Sequence, residues 1–283
     1  MQPEERAVRF TCGGAWLHGV LSLPAQAASR GVLIVVGGPQ VRTGSHRQFT
    51  LLARSLAQAG IPAMRFDYRG MGDSEGIPRD FEQIQDDLRA ALDCFLAQAP
   101  GLTDVVLWGL CDGASAAALY APGDPRVAGL ALLNPWVRTE EGAAKATLKH
   151  YYRSRVLDPG LWKKIAAGQF DLRQATGSFV GLVRSAFKSP APSAQQEAGS
   201  ASLPERMHAA LRQFKGSILV MLSGADLTAQ EFAGLPSASD DWARLLAGAR
   251  VTRHTLPGAD HTCSRREWHE QVVDWTATWL RAA

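Results

Sequence analysis

The chain has 283 residues, of which 46% are apolar, so it is long enough to bury a substantial core. Its 30 basic and 27 acidic residues leave a formal net charge of +3, spread along the chain rather than gathered in one run. This balance argues against nucleic acid as a partner. No apolar stretch is long enough to span a bilayer and the N-terminus lacks a signal-peptide pattern, so a cytoplasmic location is expected.

Short runs of Val, Ile and Leu alternate with segments of helical period along most of the chain. In chain order, the predicted strands are 31–36, 61–66, 104–110, 127–133, 217–222 and 251–256, and the predicted helices are 46–58, 81–96, 114–120, 241–247 and 265–280. Most of the strand runs are apolar without regular polar alternation, as strands buried on both faces require. The pattern therefore predicts an α/β fold with a mainly parallel sheet flanked by helices.

The alternation stops between residues 136 and 213, where helix-like, aromatic and basic stretches such as KATLKHYYRSRVL follow one another. We interpret this interval as an inserted helical cap, with the core formed by residues 1–135 and 214–283. Within the cap, residues 188–204 are dominated by Ser, Pro, Ala, Gly and Gln. Such a composition buries little apolar surface, so this stretch is predicted to be flexible.

The strongest chemical signal is V-V-L-W-G-L-C-D-G-A-S-A, in which Cys111 stands between Gly109 and Gly113. The spacing is that of the G-x-S-x-G turn between a strand and a helix, with cysteine in place of serine. The helix behind the turn directs unpaired N–H groups at the sulfur. An inert buried cysteine is the alternative, and it is favoured for a lone cysteine such as Cys94. Strand, spacing and helix agree, so Cys111 is the predicted nucleophile.

A base and an acid are expected later in the chain, each after a strand. His261 follows the last predicted strand and is interpreted as the base, although a helix-entry residue bonded to the backbone is the alternative. Asp226 follows strand 217–222 and is interpreted as the acid that orients the imidazole. Three further carboxylates in this part of the chain remain alternatives for the acid: Asp240, Asp241 and Asp260.

The oxyanion hole is expected to combine the backbone N–H of Asp112 with one from the loop G-G-P-Q at 37–40. Because proline has no N–H, Gln40 is the preferred second donor and Gly38 the less favoured one. Farther along this loop, three residues are candidates to bind a carboxylate or phosphate of a substrate: Arg42, His46 and Arg47. A solvated loop is the favoured interpretation of these three.

Two other sequence patterns do not match the phosphate-binding, metal-binding or disulfide motifs for which they could be taken. The glycine-rich run D-Y-R-G-M-G-D-S-E-G at 67–76 lacks the Lys-Ser/Thr ending of a Walker loop, so a structural role is preferred. Four cysteines at wide, irregular spacing match neither a metal pattern nor a disulfide framework. Free thiols are expected, with no metal and no cofactor.

These motifs resemble the α/β-hydrolase superfamily, since D-Y-R-G-M-G-D-S-E-G, G-L-C-D-G, S-G-A-D and G-A-D-H stand in the family's order. More narrowly, G-G-P-Q-V-R-T-G-S-H-R-Q-F, G-L-C-D-G-A-S-A, H-Y-Y-R-S-R-V-L-D-P-G-L-W and L-S-G-A-D-L-T-A-Q-E-F resemble the exosortase A system-associated hydrolase 1 group, whose members are found beside exosortase and exopolysaccharide genes. The resemblance implies a cytoplasmic hydrolase or acyltransferase with Cys111 as nucleophile, Asp226 as acid and His261 as base. Asp112 departs from the common pattern, because a carboxylate beside the thiol disfavours the thiolate unless it caps the helix or meets a cation.

Three functions remain open. The first is hydrolysis of an ester or thioester through an acyl-enzyme on Cys111. The second is transfer of an acyl group from a thioester carrier to an amine or hydroxyl, and the third is a catalytically inactive binding protein, against which the intact His261 and Asp226 argue. The expected partner is a small-molecule or carrier-bound acyl substrate, and the oligomeric state is left open.

Overall fold

A computed structural model describes residues 3–38, 40–137 and 201–282. Its strands are β1 (Glu4–Cys12), β2 (Ala15–Leu23), β3 (Arg30–Val35), β4 (Ala63–Asp67), β5 (Asp104–Leu110), β6 (Val127–Leu133), β7 (Ser217–Ser223) and β8 (Val251–Leu256). The α-helices of the described residues are α1 (Gln48–Gln58), α2 (Gln85–Gln98), α3 (Asp112–Tyr120), α4 (Leu203–Gln213), α5 (Leu227–Ala238), α6 (Asp240–Leu246) and α7 (Arg266–Ala282).

The described strands form one sheet in the order β1-β2-β4-β3-β5-β6-β7-β8. From β4 to β8 all neighbours are parallel, whereas β1 and β2 pair antiparallel with each other and β2 pairs antiparallel with β4. The predicted α/β fold with a mainly parallel sheet is confirmed. Parallel strands end at a common edge, so the loops after β3, β5, β6, β7 and β8 lie together there.

Helices cover both faces of the sheet, and the strands alternate their side chains between them. In β3, Val32 and Ile34 pack into a core with α1 and α7, whereas Leu33 and Val35 pack into the opposite core. Helices α2, α3, α4, α5 and α6 contribute to that second core. Burial on both faces explains why the central strands β3, β5 and β6 are apolar over most of their length.

The N-terminal hairpin of β1 and β2 is absent from the elements that the sequence predicts. Gly13 and Gly14 form its two-residue turn at φ of 56° and 83°, a backbone conformation that glycine adopts without strain. β1 is one of the two edge strands of the described sheet, and most of its residues, including Glu4, Glu5 and Arg6, are exposed. Its four charged residues interrupt the apolar pattern by which strands were recognised elsewhere.

Helix α5 is the second element that the pattern does not indicate. Its segment, LTAQEFAGLPSA, has little amphipathic character and contains Pro236 inside the helix. Asp226 caps its first turn by accepting a hydrogen bond from the N–H of Ala229 at 2.9 Å. A side-chain cap and burial of Phe232 therefore compensate for a weak local signal.

The predicted cap at 136–213 lies for its larger part outside the described residues, as does most of the stretch 188–204. Its last residues form α4, which packs against α3 with Met207 and Leu211 buried. The boundaries of the cap stay a prediction. Within the described parts of the chain, no helix combines the length and apolar character needed to cross a membrane.

Candidate active site

Cys111 lies in the turn that joins β5 to α3, at the edge where the parallel strands end. Its backbone has φ of 59° and ψ of −125°, a strained conformation for a residue with a side chain. The turn is held from both sides, since the N–H of Cys111 donates to the carbonyl of Leu133 at 3.0 Å and its own carbonyl accepts from Ala114 at 3.0 Å. The half-buried thiol is therefore fixed in space by the backbone.

The two glycines around Cys111 are required by close packing. A Cβ at Gly109 would lie 2.5 Å from the backbone nitrogen of Ala114, and one at Gly113 would lie 2.5 Å from the carbonyl oxygen of Val35. Real Cβ atoms do not approach backbone this closely. The glycines in the motif thus let α3 start directly against β3 and β5, as the sequence pattern predicts.

His261 lies in the loop after β8, between Cys111 and Asp226. Its Nδ1 is 3.0 Å from Oδ2 of Asp226, and the side chain of Cys111 is its other hydrogen-bond partner. The carboxylate of Asp226 first, and then Cys111, raise the pKa of His261 to about 10, against the opposing effect of burial. The imidazole is therefore protonated at neutral pH.

Asp226 is the one of the four candidate acids that is hydrogen-bonded to His261. It is buried and also caps α5. Asp240 and Asp241 begin α6 and are exposed, and Asp260 bonds instead to the N–H and hydroxyl of Ser264. The structure thus brings together the three residues that the sequence selects, while their catalytic roles remain to be tested.

Asn134 is a site residue that sequence reasoning missed. It follows β6, is fully buried and has φ of 48°. Its Nδ2 donates to the carbonyl of His261 and to Oγ of Ser223, both at 2.9 Å, and its Oδ1 accepts from the N–H of Ser223 at 2.8 Å. These bonds tie the ends of β6 and β7 to the loop after β8, so Asn134 holds the backbone of His261 in position.

Cys263 lies two residues beyond His261 and differs from Cys111 in its surroundings. It is buried, and its Sγ is 3.6 Å from Oγ of Ser223. Burial raises the pKa of Cys263 to about 11. All four cysteines of the chain are free thiols, as their spacing predicts.

The loop after β3 faces the start of α3. The N–H of Gly38 donates to Oδ2 of Asp112 at 2.8 Å, whereas the N–H of Gln40 is directed at the carbonyl of Gly37 in its own turn, at 3.4 Å. The preferred donor from sequence, Gln40, therefore points away from Asp112, and the less favoured one, Gly38, points towards it. The direction of a peptide N–H depends on the turn and is not encoded in residue type.

The carboxylate of Asp112 bends back over the start of α3. It accepts the N–H of Gly38 through Oδ2 and the N–H of Gly113 through Oδ1, the latter at 3.0 Å. Burial raises the pKa of Asp112, against the opposing effect of these backbone hydrogen bonds. Asp112 thus caps the helix, one of the two ways in which a carboxylate beside the thiol is tolerated.

The three basic residues predicted as candidates for anion binding, in the loop after β3, have different surroundings. Arg42 forms ion pairs with Asp67 and Asp73, which favours a role in anchoring the loop. His46 is exposed, with Nε2 3.3 Å from Oγ1 of Thr262, and therefore lies beside the loop of His261. Arg47 is exposed to solvent.

The glycine-rich run after β4 is tied to the core by buried ionic contacts. Arg69 donates to Asp87 of α2 through its backbone N–H at 2.9 Å and through Nε and Nη2 at 2.9 and 2.7 Å. Both residues are buried. This arrangement agrees with the structural role expected for the run. Within residues 3–38, 40–137 and 201–282, no cluster of three or more His, Cys, Asp or Glu side chains is placed to hold a metal ion.

Comparison with known structures shows the same fold in several hydrolases. An esterase of Pyrococcus furiosus is 15% identical, with a TM-score of 0.66 over 99% of this chain and 91% of that chain. Dienelactone hydrolase from Anabaena variabilis is 17% identical, with a TM-score of 0.61 over 100% of this chain and 99% of that chain. Proline iminopeptidase of Mycobacterium smegmatis is 18% identical, with a TM-score of 0.63 over 98% of each chain.

None of the curated proteins matches the chain in sequence. A family model does, since the model of the alpha/beta hydrolase family matches residues 32–275. That span begins within β3 and includes β4 to β8, with Cys111, Asp226 and His261. The chain therefore belongs to the alpha/beta hydrolase family.

Proposed function

We propose that this hydrolase-type enzyme cleaves an ester or thioester through an acyl-enzyme formed on Cys111. The observation that carries the proposal is the contact of His261 with both Cys111 and Asp226 at the edge where the strands end. Family membership supports an enzyme of the hydrolase type. The cysteine nucleophile and the roles of its two partners are our additions.

Acylation starts from a sulfur that faces a protonated imidazole. Because the pKa of His261 is raised to about 10, a proton rests on the imidazole at neutral pH. The sulfur beside this cation attacks a carbonyl carbon. An S–C bond forms, and the carbonyl π electrons move to oxygen. When the tetrahedral intermediate collapses, the bond to the leaving alcohol or thiol breaks, and His261 gives its proton to that group.

Asp226 keeps the imidazole oriented during this step. Its Oδ2 faces Nδ1 of His261 at 3.0 Å, which leaves Nε2 for the sulfur and the leaving group. The side chain of Asp226 is 9% exposed and that of His261 34%, so the pair is shielded on the acid side and open on the substrate side. This difference suits a base that exchanges protons with substrate.

For the oxyanion hole, we assign the N–H groups of Asp112 and Gly38. Asp112 follows the nucleophile, and Gly38 points at the start of α3 from the loop after β3. The amide of Gln40 is engaged within its own turn. We therefore replace Gln40 by Gly38 as the second donor.

Deacylation completes the cycle. The neutral imidazole left after acylation takes a proton from water, the hydroxide attacks the thioester carbonyl, and the S–C bond breaks with the sulfur regaining its imidazolium partner. An amine or alcohol that replaced water in this step would make the enzyme an acyltransferase.

Three narrower expectations stay predictions. They are membership in the exosortase A system-associated hydrolase 1 group, an acyl substrate held on a carrier, and a cytoplasmic location. The motifs quoted above support the first, and the second follows from the reactivity of a thiol nucleophile towards thioesters.

The proposal is tested by intact-mass spectrometry after brief exposure to a panel of acyl thioesters and activated esters. We expect a mass increase of one acyl group on the wild type and on Cys94→Ala, and no increase on Cys111→Ala. His261→Ala is expected to acylate about 100-fold more slowly or worse, because the charged partner of the sulfur is lost. Decay of the adduct in buffer, with and without added amine or alcohol, separates hydrolysis from transfer.

An absent adduct across the panel would contradict the proposal if Cys111 were also inert to iodoacetamide near neutral pH. That result would favour a binding protein that has kept the fold. An adduct of equal yield on Cys111→Ala would place the nucleophile elsewhere.

A further inference from the structure

The carboxylate of Asp112 lies where the proposed oxyanion hole directs its hydrogen bonds. The N–H of Gly38, one of the two donors assigned to the oxyanion, donates to Oδ2 at 2.8 Å. The N–H of Gly113 adds a second hydrogen bond at 3.0 Å.

The carboxylate is tightly enclosed by backbone. A Cβ at Gly37 would collide with Oδ1 of Asp112 and with the nitrogen of Gly113, so the loop after β3 and the start of α3 close around the carboxyl. Among the ion pairs of the described residues, none involves Asp112. Backbone N–H groups alone therefore balance its charge.

We propose that the carboxylate of Asp112 occupies the oxyanion hole of the resting enzyme and must give up the N–H of Gly38 before Cys111 can be acylated. This inference rests on the proposed function, because it concerns the same donors. An oxyanion and a carboxylate that share one N–H would repel each other, so the hole stabilises the transition state only after the carboxylate has left. Asp112 thereby acts as a built-in competitor of the substrate carbonyl.

Removal of the Asp112 carboxylate is expected to change the rate of acylation of Cys111 more than the rate of its alkylation. Attack on an ester or thioester develops an oxyanion and needs the donors, whereas alkylation by iodoacetamide displaces iodide and develops none. Removing the carboxylate should therefore accelerate acylation more than alkylation. A simple effect of its charge on the thiolate would accelerate both reactions equally.

The experiment compares the two rates in wild type, Asp112→Ala and Asp112→Asn, using p-nitrophenyl acetate and iodoacetamide with mass detection at Cys111. We expect the ratio of acylation to alkylation to rise about tenfold in Asp112→Ala. Asp112→Asn keeps the shape and an acceptor oxygen but loses the charge, so its ratio should rise by a smaller factor. It also serves as the test should the alanine variant fold poorly by circular dichroism.

The matched control is Asp80→Asn. Asp80 is a nearby acidic residue whose charge also acts on Asp112, and its side chain caps a short turn by accepting from the N–H of Glu82 at 3.0 Å. Asparagine preserves that cap, so the variant removes a neighbouring charge without touching Gly38. Its ratio should stay within about twofold of the wild type, as is usual for surface substitutions.

Two results would overturn the inference while leaving the proposed function intact: equal acceleration of both reactions, or slower acylation in both Asp112 variants with wild-type alkylation. The second result would mean that the carboxylate builds the hole rather than blocks it. If no variant forms an acyl-enzyme, the proposed function fails, and this inference fails with it.

Discussion

Two segments hold side chains of the candidate site, and they are held in place in different ways. The turn at residues 109–113 contains Cys111, and the loop at residues 257–264 contains His261. Each follows a strand, and each contains a cysteine at positive φ, 59° at Cys111 and 50° at Cys263. The turn is held by backbone packed so closely that its glycines have no room for a methyl group. The loop is open, since a Cβ at Gly258 would have no atom within 4 Å.

The loop is held by side chains as well as by backbone, since the N–H of Ala225 donates to the carbonyl of Ala259 at 2.9 Å. Asn134 donates to the carbonyl of His261, and Asp260 accepts from Ser264. Cys111, the proposed nucleophile, is therefore fixed mainly by close backbone packing, whereas the position of His261, the proposed base, also depends on side-chain hydrogen bonds that can be removed one at a time. A nucleophile must be strictly placed, and a base must be free to adjust as it exchanges protons.

The largest expected difference between the two regions is in thiol reactivity. Near pH 7.5, iodoacetamide should alkylate Cys111 roughly a thousandfold faster than Cys263, because the pKa of Cys263 is raised to about 11 and the residue is buried. Peptide mapping by mass spectrometry over time measures both rates. In denaturant the two rates should converge, and similar rates in the folded protein would break the comparison.

The next largest effect is on stability. Gly109→Ala should lower the free energy of unfolding by about 3 kcal/mol, because the new methyl group collides with the backbone of Gly113 and Ala114. The matched change in the loop, Gly258→Ala, meets no atoms and should cost only about 1 kcal/mol for its φ of 73°. Urea denaturation measures both, and equal losses would mean that the turn relaxes as easily as the loop.

Asn134→Ala tests how much the loop at residues 257–264 depends on a single buried side chain. It removes the buried hydrogen bonds to His261 and Ser223 and should cost about 2 kcal/mol. Ser223→Ala keeps the bond to His261 and should cost about 1 kcal/mol. Amide hydrogen exchange should increase in residues 257–264 for Asn134→Ala but not in residues 109–113. Increased exchange in both regions would show that the two are coupled.

The smallest effect is a shift of the pH profile. The carboxylate of Asp226 is the largest cause of the raised pKa of His261, so the imidazolium persists at neutral pH and is lost as pH rises through about 10. Asp226→Asn should lower this pKa by about one unit or more and move the alkaline limb of kcat/KM to lower pH. Asparagine can still cap α5, so the melting temperature serves as a control. An unmoved limb would mean that another group titrates there.

Much of the central sheet is predictable from sequence. Strands β5, β6 and β8 have the predicted bounds. In β5 and β6 a continuous apolar run leaves little freedom in where a buried strand begins and ends. The hairpin of β1 and β2 escapes prediction because the exposed, charged residues of β1 interrupt the apolar pattern. Its Gly13-Gly14 pair is the signal that would have found it.

The candidate site likewise contains residues that the sequence predicts and residues that it does not. Residues 111, 226 and 261 stand in recognisable local motifs, and the structure places their side chains together. Asn134 stands in no such motif, because its partners Ser223 and His261 are 89 and 127 residues away. The choice between Gly38 and Gln40 depends on where peptide groups point, which residue identity does not determine.

The charged edge strand has a consequence for behaviour at high concentration. An exposed strand offers unpaired N–H and C=O groups to any other chain, and such edges start intermolecular sheets. In β1, Glu4 forms an ion pair with Arg6, and a second chain that paired with this edge would bring like charges together in some registers. Neutralising Glu4 and Arg6 should therefore promote fibrous aggregation in a crowded solution, whereas Glu5 also pairs with the buried Arg65 and is needed by the fold.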